Sequence, residues 1–215
     1  MSVLFLKRFL QRPRQVASII PSSRILIRKV VGKMDFSKPR VIVEYGAGEG
    51  AHTRAIAGKM DAHSRLLLFE LDAELAQHLR KQFKDDPRIT VHHTDAARIC
   101  EELANANLPH CDYVVSGIPF SFLPPEPKRL LLRRTYEALA PQDHSAFIIY
   151  QVSNELRDNG HCDHFPRVES EYCLLNIPPY HVTKFYRTAN GHAVNGKNGH
   201  SLNGHSKNGH ALVIK

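Results

Sequence analysis

The chain has 215 residues, a net charge of +8 and 42% hydrophobic residues, enough for one domain with a real core and short for two. Its apolar runs, such as Leu66 to Phe69 and Phe147 to Tyr150, fall far below the roughly 20 residues a membrane-spanning helix needs, and Lys7 and Arg8 interrupt the apolar start before a signal-peptide core can form. Four cysteines without a Cys-x-x-Cys pair make no disulfide scaffold and suit a reducing cytoplasm.

Charge is unevenly placed. Through Arg40, ten lysines and arginines stand against Asp35 alone, a net +9, and the remainder sums to −1. A basic leader on a near-neutral body is expected to meet a polyanion, either nucleic acid or an anionic membrane. Residues 2–12 set Val3, Leu6, Phe9 and Leu10 at helical spacing with Lys7, Arg8, Gln11 and Arg12 turned away, an amphipathic basic helix that Pro13 ends. Ser22 and Ser23 can cap a second helix carrying Ile25, Leu26, Ile27, Val30 and Val31 among Arg24, Arg28 and Lys29, with Gly32 as its stop. Residues 1–39 therefore read as basic helices for a membrane surface, ahead of the core.

From Arg40 the pattern changes to strand-length apolar runs separated by helical stretches, the signature of a parallel sheet with crossover helices. Strands are expected at 41–45, 66–71, 89–92, 112–116, 146–152, around 172–177 and at 181–186, and helices near 51–59, 73–83, 96–104 and 127–139. The last two strands, joined through Asn176-Ile177-Pro178-Pro179-Tyr180, form an antiparallel hairpin. The fold class is a doubly wound α/β domain over residues 40–187 with a mostly parallel seven-stranded sheet. Residues 188–215 repeat Asn-Gly-His from 190, 198, 203 and 208, a polar tail with little to bury and expected to be disordered. Its histidines offer a metal no fixed geometry, and His161-Cys162-Asp163-His164 lacks the second ligand pair that zinc needs, so no metal site is expected.

The sharpest motif is Val41-Ile-Val-Glu-Tyr-Gly-Ala-Gly-Glu-Gly50, an apolar strand running into Gly46, Gly48 and Gly50 and opening a helix. Glycines are needed where a ligand lies against backbone amides at a strand's carboxyl end. The spacing departs from the dinucleotide pattern, and Glu44 and Glu49 flank the loop, where they would repel a pyrophosphate. S-adenosylmethionine, which has no phosphate and carries a sulfonium and an ammonium, suits these carboxylates. Glu70, at the end of the second strand and twenty residues past Gly50, is placed to hold ribose hydroxyls, and Asp72 to cap the next helix. At Asp95 and Ala96 a carboxylate can accept from an adenine amino group or cap a helix, and spacing alone does not separate the two.

The order of these motifs resembles the class I methyltransferases over roughly residues 40–187. The fourth strand runs into Ser116-Gly117-Ile-Pro-Phe120-Ser-Phe122, where amine-directed members carry Asn/Asp-Pro-Pro-Tyr or Asn-Ile-Pro-Tyr. With Pro21-Ser-Ser23 upstream and Leu175-Asn-Ile-Pro-Pro179 downstream, the chain looks like the bacterial phospholipid N-methyltransferases of the soluble, Rhodobacter type. A departure is Tyr45-Gly-Ala-Gly-Glu, where many relatives have Leu-Gly-Pro-Gly-Thr. The resemblance implies S-adenosylmethionine as cofactor and methylation of phosphatidylethanolamine and its methylated derivatives at the inner face of the membrane. Backbone carbonyls of Ser116 and Gly117 and the Ser116 hydroxyl would aim the amine. Phe120, Phe122, Tyr150 and Tyr180 would cage its growing positive charge, and Arg24 would meet the lipid phosphate. The first four strands also resemble the rRNA adenine N6-dimethyltransferases. Against nucleic acid as partner stand Ser116, in place of the adenine-pairing Asn, and the lack of a helical RNA-binding domain after the sheet. A non-catalytic membrane-docking protein of the same fold is a third alternative.

Overall fold

The computed structural model describes residues 23–153, 156, 164–175 and 178–188, with Phe122 by its backbone alone. The expected leader helix at 2–12, the Asn-Gly-His repeat, His161 to Asp163 and Asn176-Ile177 lie outside the described residues. Helix α1 spans Arg24–Val31, capped by Ser23, whose hydroxyl accepts from Leu26 N, and closed by Gly32. There follow β1 (Val41–Tyr45), α2 (Ala51–Ala57), β2 (Arg65–Phe69), α3 (Ala73–Gln82) and β3 (Ile89–His92). A 3-10 turn at Ala96–Arg98 then leads into α4 (Ile99–Asn105) and β4 (Tyr113–Ser116). A second such turn at Phe120–Phe122 precedes α5 (Pro125–Ala138), β5 (Ala146–Gln151), β6 (Arg167–Cys173) and β7 (Tyr180–Tyr186).

The strands form one sheet in the order β3-β2-β1-β4-β5-β7-β6. The first five are parallel, and β7 returns antiparallel between β5 and β6. Both faces are covered, which is why the inner parallel strands β2, β1, β4 and β5 are mostly apolar rather than alternating. Val43, Tyr45, Val114, Phe147 and Ile149 pack on α4 and α5 through Ile99, Leu103, Leu131 and Leu132. Ile42, Leu66, Leu68, Val115 and Ile148 pack on α1, α2 and α3 through Leu26, Val30, Ile56 and Leu79. Each such side chain, fully buried, contributes roughly 1.5–3 kcal/mol. Tyr45 is buried with its hydroxyl 3.0 Å from Thr135 Oγ1, so this residue of the glycine motif serves packing on α5.

Two expected elements move. Strand β6 lies at 167–173 rather than around 172–177, because the hairpin register pairs Cys173 with Tyr180 and leaves Leu174 and Leu175 to the turn, beside two prolines that have no N–H to give a ladder. Strand β2 stops at Phe69, so Glu70 stands just beyond it. The direction of α1 matters for function. Past its end, Asp35 N donates to Tyr113 Oη (3.1 Å) at the start of β4, and Lys184 Nζ donates to Lys33 O (2.8 Å). The helix therefore ends toward the amino edge of the parallel strands, and Ser23 and Arg24 point to the carboxyl edge.

Candidate cofactor and acceptor site

At the carboxyl ends of β1 and β2 the chain makes a glycine turn clamped by a carboxylate. Gly46, Gly48 and Gly50 all have positive φ (66°, 56° and 76°), a region open to glycine and costly for other residues. Glu70 Oε2 accepts from Gly48 N (2.9 Å) and Oε1 from Asp72 N (3.0 Å), so one side chain fixes both the loop and the start of α3. Asp72 caps α3 by accepting from Glu74 N and Leu75 N, as its position predicts. The three glycines divide by surroundings. A Cβ built on Gly48 meets nothing within 4 Å and one on Gly46 meets Ile118 at 3.4 Å, whereas one on Gly50 meets Gln82, Leu79 and Phe83 at 3.0–3.1 Å. Gly48 thus borders open space where a ligand would lie. Gly50 is buried against α3, and its lack of a side chain serves close packing of loop on helix.

Two other expected cofactor residues, Glu44 and Ala96, sit deeper than their motifs suggest. Glu44 is 1% exposed, and its Oε2 accepts from the Thr53 hydroxyl at 2.7 Å, so it lies under the loop and not on its surface. Asp95, three residues past β3, accepts from Ala97 N (2.9 Å) and caps the 3-10 turn, leaving its second oxygen for a ligand; the Ala96 side chain belongs to the core. The fit to S-adenosylmethionine is good in kind. The carboxylates of Glu70 and Asp95 take their hydrogen bonds from backbone amides and not from a cation, so a cationic ligand meets two acids that no described basic side chain neutralises.

The acceptor end lies across β1, at β4 and β5. Ser116 is fully buried and its hydroxyl accepts from Ile118 N (3.1 Å), turning the chain. The hydroxyl thus helps to fix the turn that presents Gly117. Gly117 N donates to Tyr45 O (3.2 Å), and a Cβ at Gly117 would fall 2.4 Å from Tyr150 Oη. Tyr150 lies flat on His52 (4.2 Å, 22° between planes), with Tyr180 at 6.5 Å. Gly117, Tyr150 and Tyr180 are therefore brought together. Phe120 is not among them. It is fully buried and edge-on to Phe147 at 5.7 Å, so the turn after β4 spends that ring on the core, not on a cage. The side chain of Phe122 lies outside the described residues, and Arg24 is exposed at the start of α1.

Three residues escaped the sequence reading. His52 and Thr53 follow the glycine turn in the first turn of α2, and Gln151 ends β5. His52 is 3% exposed with Nε2 unpaired, and Gln151 is 6% exposed with both amide atoms unpaired. Such a group costs roughly 1–3 kcal/mol unless a ligand or water meets it. Position was the available signal, since residues opening the helix after a glycine turn and residues closing an inner strand both border the carboxyl edge.

Burial also sets protonation here. Burial pushes the Glu44 carboxyl up to about 8, with the charge of Glu70 adding and the Thr53 hydroxyl partly offsetting. Burial drives the His52 imidazole down to about 4. Between the ordinary carboxylate value and about 8 the folded chain holds a proton on Glu44 that the unfolded chain lacks, so stability falls as pH rises through that window. His52 acts oppositely between about 4 and 6.5, where the unfolded chain is protonated and stability falls as pH drops. Above pH ~6.5 only Glu44 remains of this pair. Thermal melts of the cofactor-free chain should therefore lose stability toward pH 8, by at most on the order of 1 kcal/mol per pH unit, and Glu44→Gln should flatten that slope. An unchanged slope in the variant would remove Glu44 as its source.

Residues 13–117 match the ribosomal RNA adenine dimethylase family. The ornithine lipid N-methyltransferase of Singulisphaera acidiphila is 34% identical over 138 residues, which cover 64% of this chain and 72% of that protein. A ribosomal RNA small subunit methyltransferase A, from Acidobacterium capsulatum, is 32% identical over 103 residues, but only 35% of its length is covered. Among solved structures, the fold is similar to the N-methyltransferase NodS from Bradyrhizobium japonicum WM9 in complex with S-adenosyl-L-homocysteine (TM-score 0.63, 16% identity, 85% of this chain and 96% of that one). It is also similar to the 1,6-didemethyltoxoflavin-N1-methyltransferase of Burkholderia thailandensis (TM-score 0.62, 16% identity, 86% and 88%). With the glycine turn, the acid beyond β2 and a lipid N-methyltransferase related over most of its length, the chain belongs to the class I S-adenosylmethionine-dependent methyltransferases.

Proposed function

We propose that the chain methylates the amine of a phospholipid headgroup, phosphatidylethanolamine and its methylated derivatives, at the cytoplasmic face of the membrane. The observation that carries a lipid over RNA is the extent of the relationships. The lipid enzyme is covered over 72% of its length, into the acceptor half, whereas the match to the RNA dimethylase family stops at residue 117, where the acceptor loop begins. When bound, S-adenosylmethionine supplies a methyl carbon on a sulfonium, which an unprotonated amine attacks as the carbon–sulfur bond breaks. The chain's task is positioning. Burial holds the Tyr150 phenol well above its ordinary value, so Oη stays a neutral hydroxyl beside Gly117, able to accept from an amine N–H and aim the lone pair. The faces of Tyr150 and Tyr180 favour the ammonium product by roughly 0.5–2 kcal/mol per ring. His52, held neutral, braces Tyr150 rather than taking the proton.

The test is a competition. The full-length chain is incubated with labelled S-adenosylmethionine, vesicles of phosphatidylethanolamine and phosphatidylglycerol, and ribosomal RNA. Label should pass into lipid, in steps of one methyl group. Label in the RNA with none in the lipid overturns the assignment, and transfer to an ornithine lipid alone would move the substrate within the amino-lipids.

A further inference from the structure

The β6–β7 turn carries the two most exposed large hydrophobic residues described, Leu174 and Leu175, at 70% and 72% exposure and adjacent in sequence. Single exposed leucines are ordinary, but an apolar cluster on one rim asks for a partner. The register decides which rim. Cys173 pairs with Tyr180 and His181 with Gln151, so the turn projects from the same carboxyl edge as the end of β5. Val152, 45% exposed, follows Gln151 two strands away, about 10 Å across the sheet. Tyr172, 49% exposed, stands just before the turn. This is the edge that holds Gly117, Tyr150 and Tyr180, and the start of α1 faces it with Arg24 exposed and Ile25 40% exposed.

Charge around the turn is arranged to meet anions. Glu171, the nearest described acid on β6, is paired with Lys29 (2.7 Å) and Lys33 (2.5 Å), and Glu169 with Arg167. Arg24 and Arg28 remain on the exposed side of α1. Apolar side chains at a tip, acids neutralised behind them, cations alongside and a tyrosine at their base are the composition of a segment that sits in a bilayer interface.

Building on the lipid reading of the site, we propose that Leu174 and Leu175 enter the bilayer as a wedge that turns the acceptor edge toward the lipid headgroups. The wedge is distinct from the basic leader. It acts by apolar burial, so its share of binding survives salt, whereas attraction of exposed cations to anionic lipid is screened. It also fixes orientation, because a protein held by its leader alone could lie on the membrane in many poses, while a contact on the rim of the site permits one.

The full-length chain, the double variant Leu174→Asp/Leu175→Asp and the control Val168→Asp, at the far end of the same strand, are compared on vesicles of phosphatidylethanolamine and phosphatidylglycerol. The double variant is expected to partition at least about tenfold more weakly, with the difference persisting in about 0.5 M salt, where the Debye length is only about 4 Å. Its melting temperature and affinity for S-adenosylmethionine should stay at the wild-type values, and Val168→Asp should bind vesicles like the wild type. On a short-chain phosphatidylethanolamine dissolved as monomers the double variant should match wild-type methylation, while falling behind on vesicles. Vesicle binding equal to the wild type, or an equal loss in Val168→Asp, overturns the wedge and leaves the lipid assignment standing. Failure of the wild type to methylate even the dissolved lipid overturns the assignment and the wedge with it. A wild-type dimer that the double variant loses, with vesicle binding unchanged, would make the turn a contact between copies of the chain and also overturn the wedge.

Discussion

Replacing Glu70 with alanine is expected to weaken S-adenosylmethionine binding by about 2–3 kcal/mol, roughly 30- to 150-fold. Two losses combine. The carboxylate stands free of cations beyond β2, where ribose hydroxyls would donate to it, and it also holds Gly48 N and Asp72 N, keeping the glycine turn in its left-handed conformation. Glu70→Gln should lose less, because an amide oxygen still accepts but without charge. Calorimetric titration reads both directly. A folded Glu70→Ala chain that binds the cofactor as tightly as the wild type would take Glu70 out of the cofactor site.

Phe120→Ala is expected to act on stability, by about 3–5 kcal/mol, the cost of emptying a phenyl-sized volume in a packed core. The ring is fully buried, and Phe147, its edge-on partner, in turn meets Phe165 and Phe185. A chain of this size should lose roughly 6–20 °C in melting temperature. An unchanged melting temperature with impaired methyl transfer would return the ring to the acceptor.

Phe120 also marks where the sequence stops being legible. The strands and helices of residues 41–151 fall within a few positions of their expected places, because a sheet covered on both faces writes itself as uninterrupted apolar runs, and Ser23, Gly32 and Asp72 end helices by local hydrogen bonds that depend on neighbours alone. The glycine turn and the acid after β2 were legible for the same reason, being set by spacing along one strand and turn. What depends on contacts across the sheet was not. Phe120, just past β4, and Tyr150, near the end of β5, are both aromatic residues at the carboxyl edge of an inner strand, and only the fold decides that one faces Phe147 and the other Gly117. Gly50 looked like its two neighbours, yet α3 lies against it. His52 gains meaning only from Tyr150, nearly a hundred residues on. The β6 strand was misplaced because Leu174 and Leu175 read as strand interior, whereas an apolar pair can equally be turned outward.

The central claim is that one sheet edge is divided, with the methyl donor held at β1 and β2 and the amine received at Gly117 and Tyr150. Gly117→Ala tests that division most directly. The added methyl group would fall 2.4 Å from Tyr150 Oη, and the ring, stacked on His52, cannot give way without leaving that partner. Turnover on phosphatidylethanolamine vesicles is measured beside calorimetric affinity for S-adenosylmethionine on the same preparation. The division predicts a loss of turnover of roughly 10²-fold, the cost of an ångström-scale misplacement of the acceptor, with affinity within about twofold of the wild type. Full turnover, or a parallel collapse of cofactor affinity in a folded chain, would contradict it.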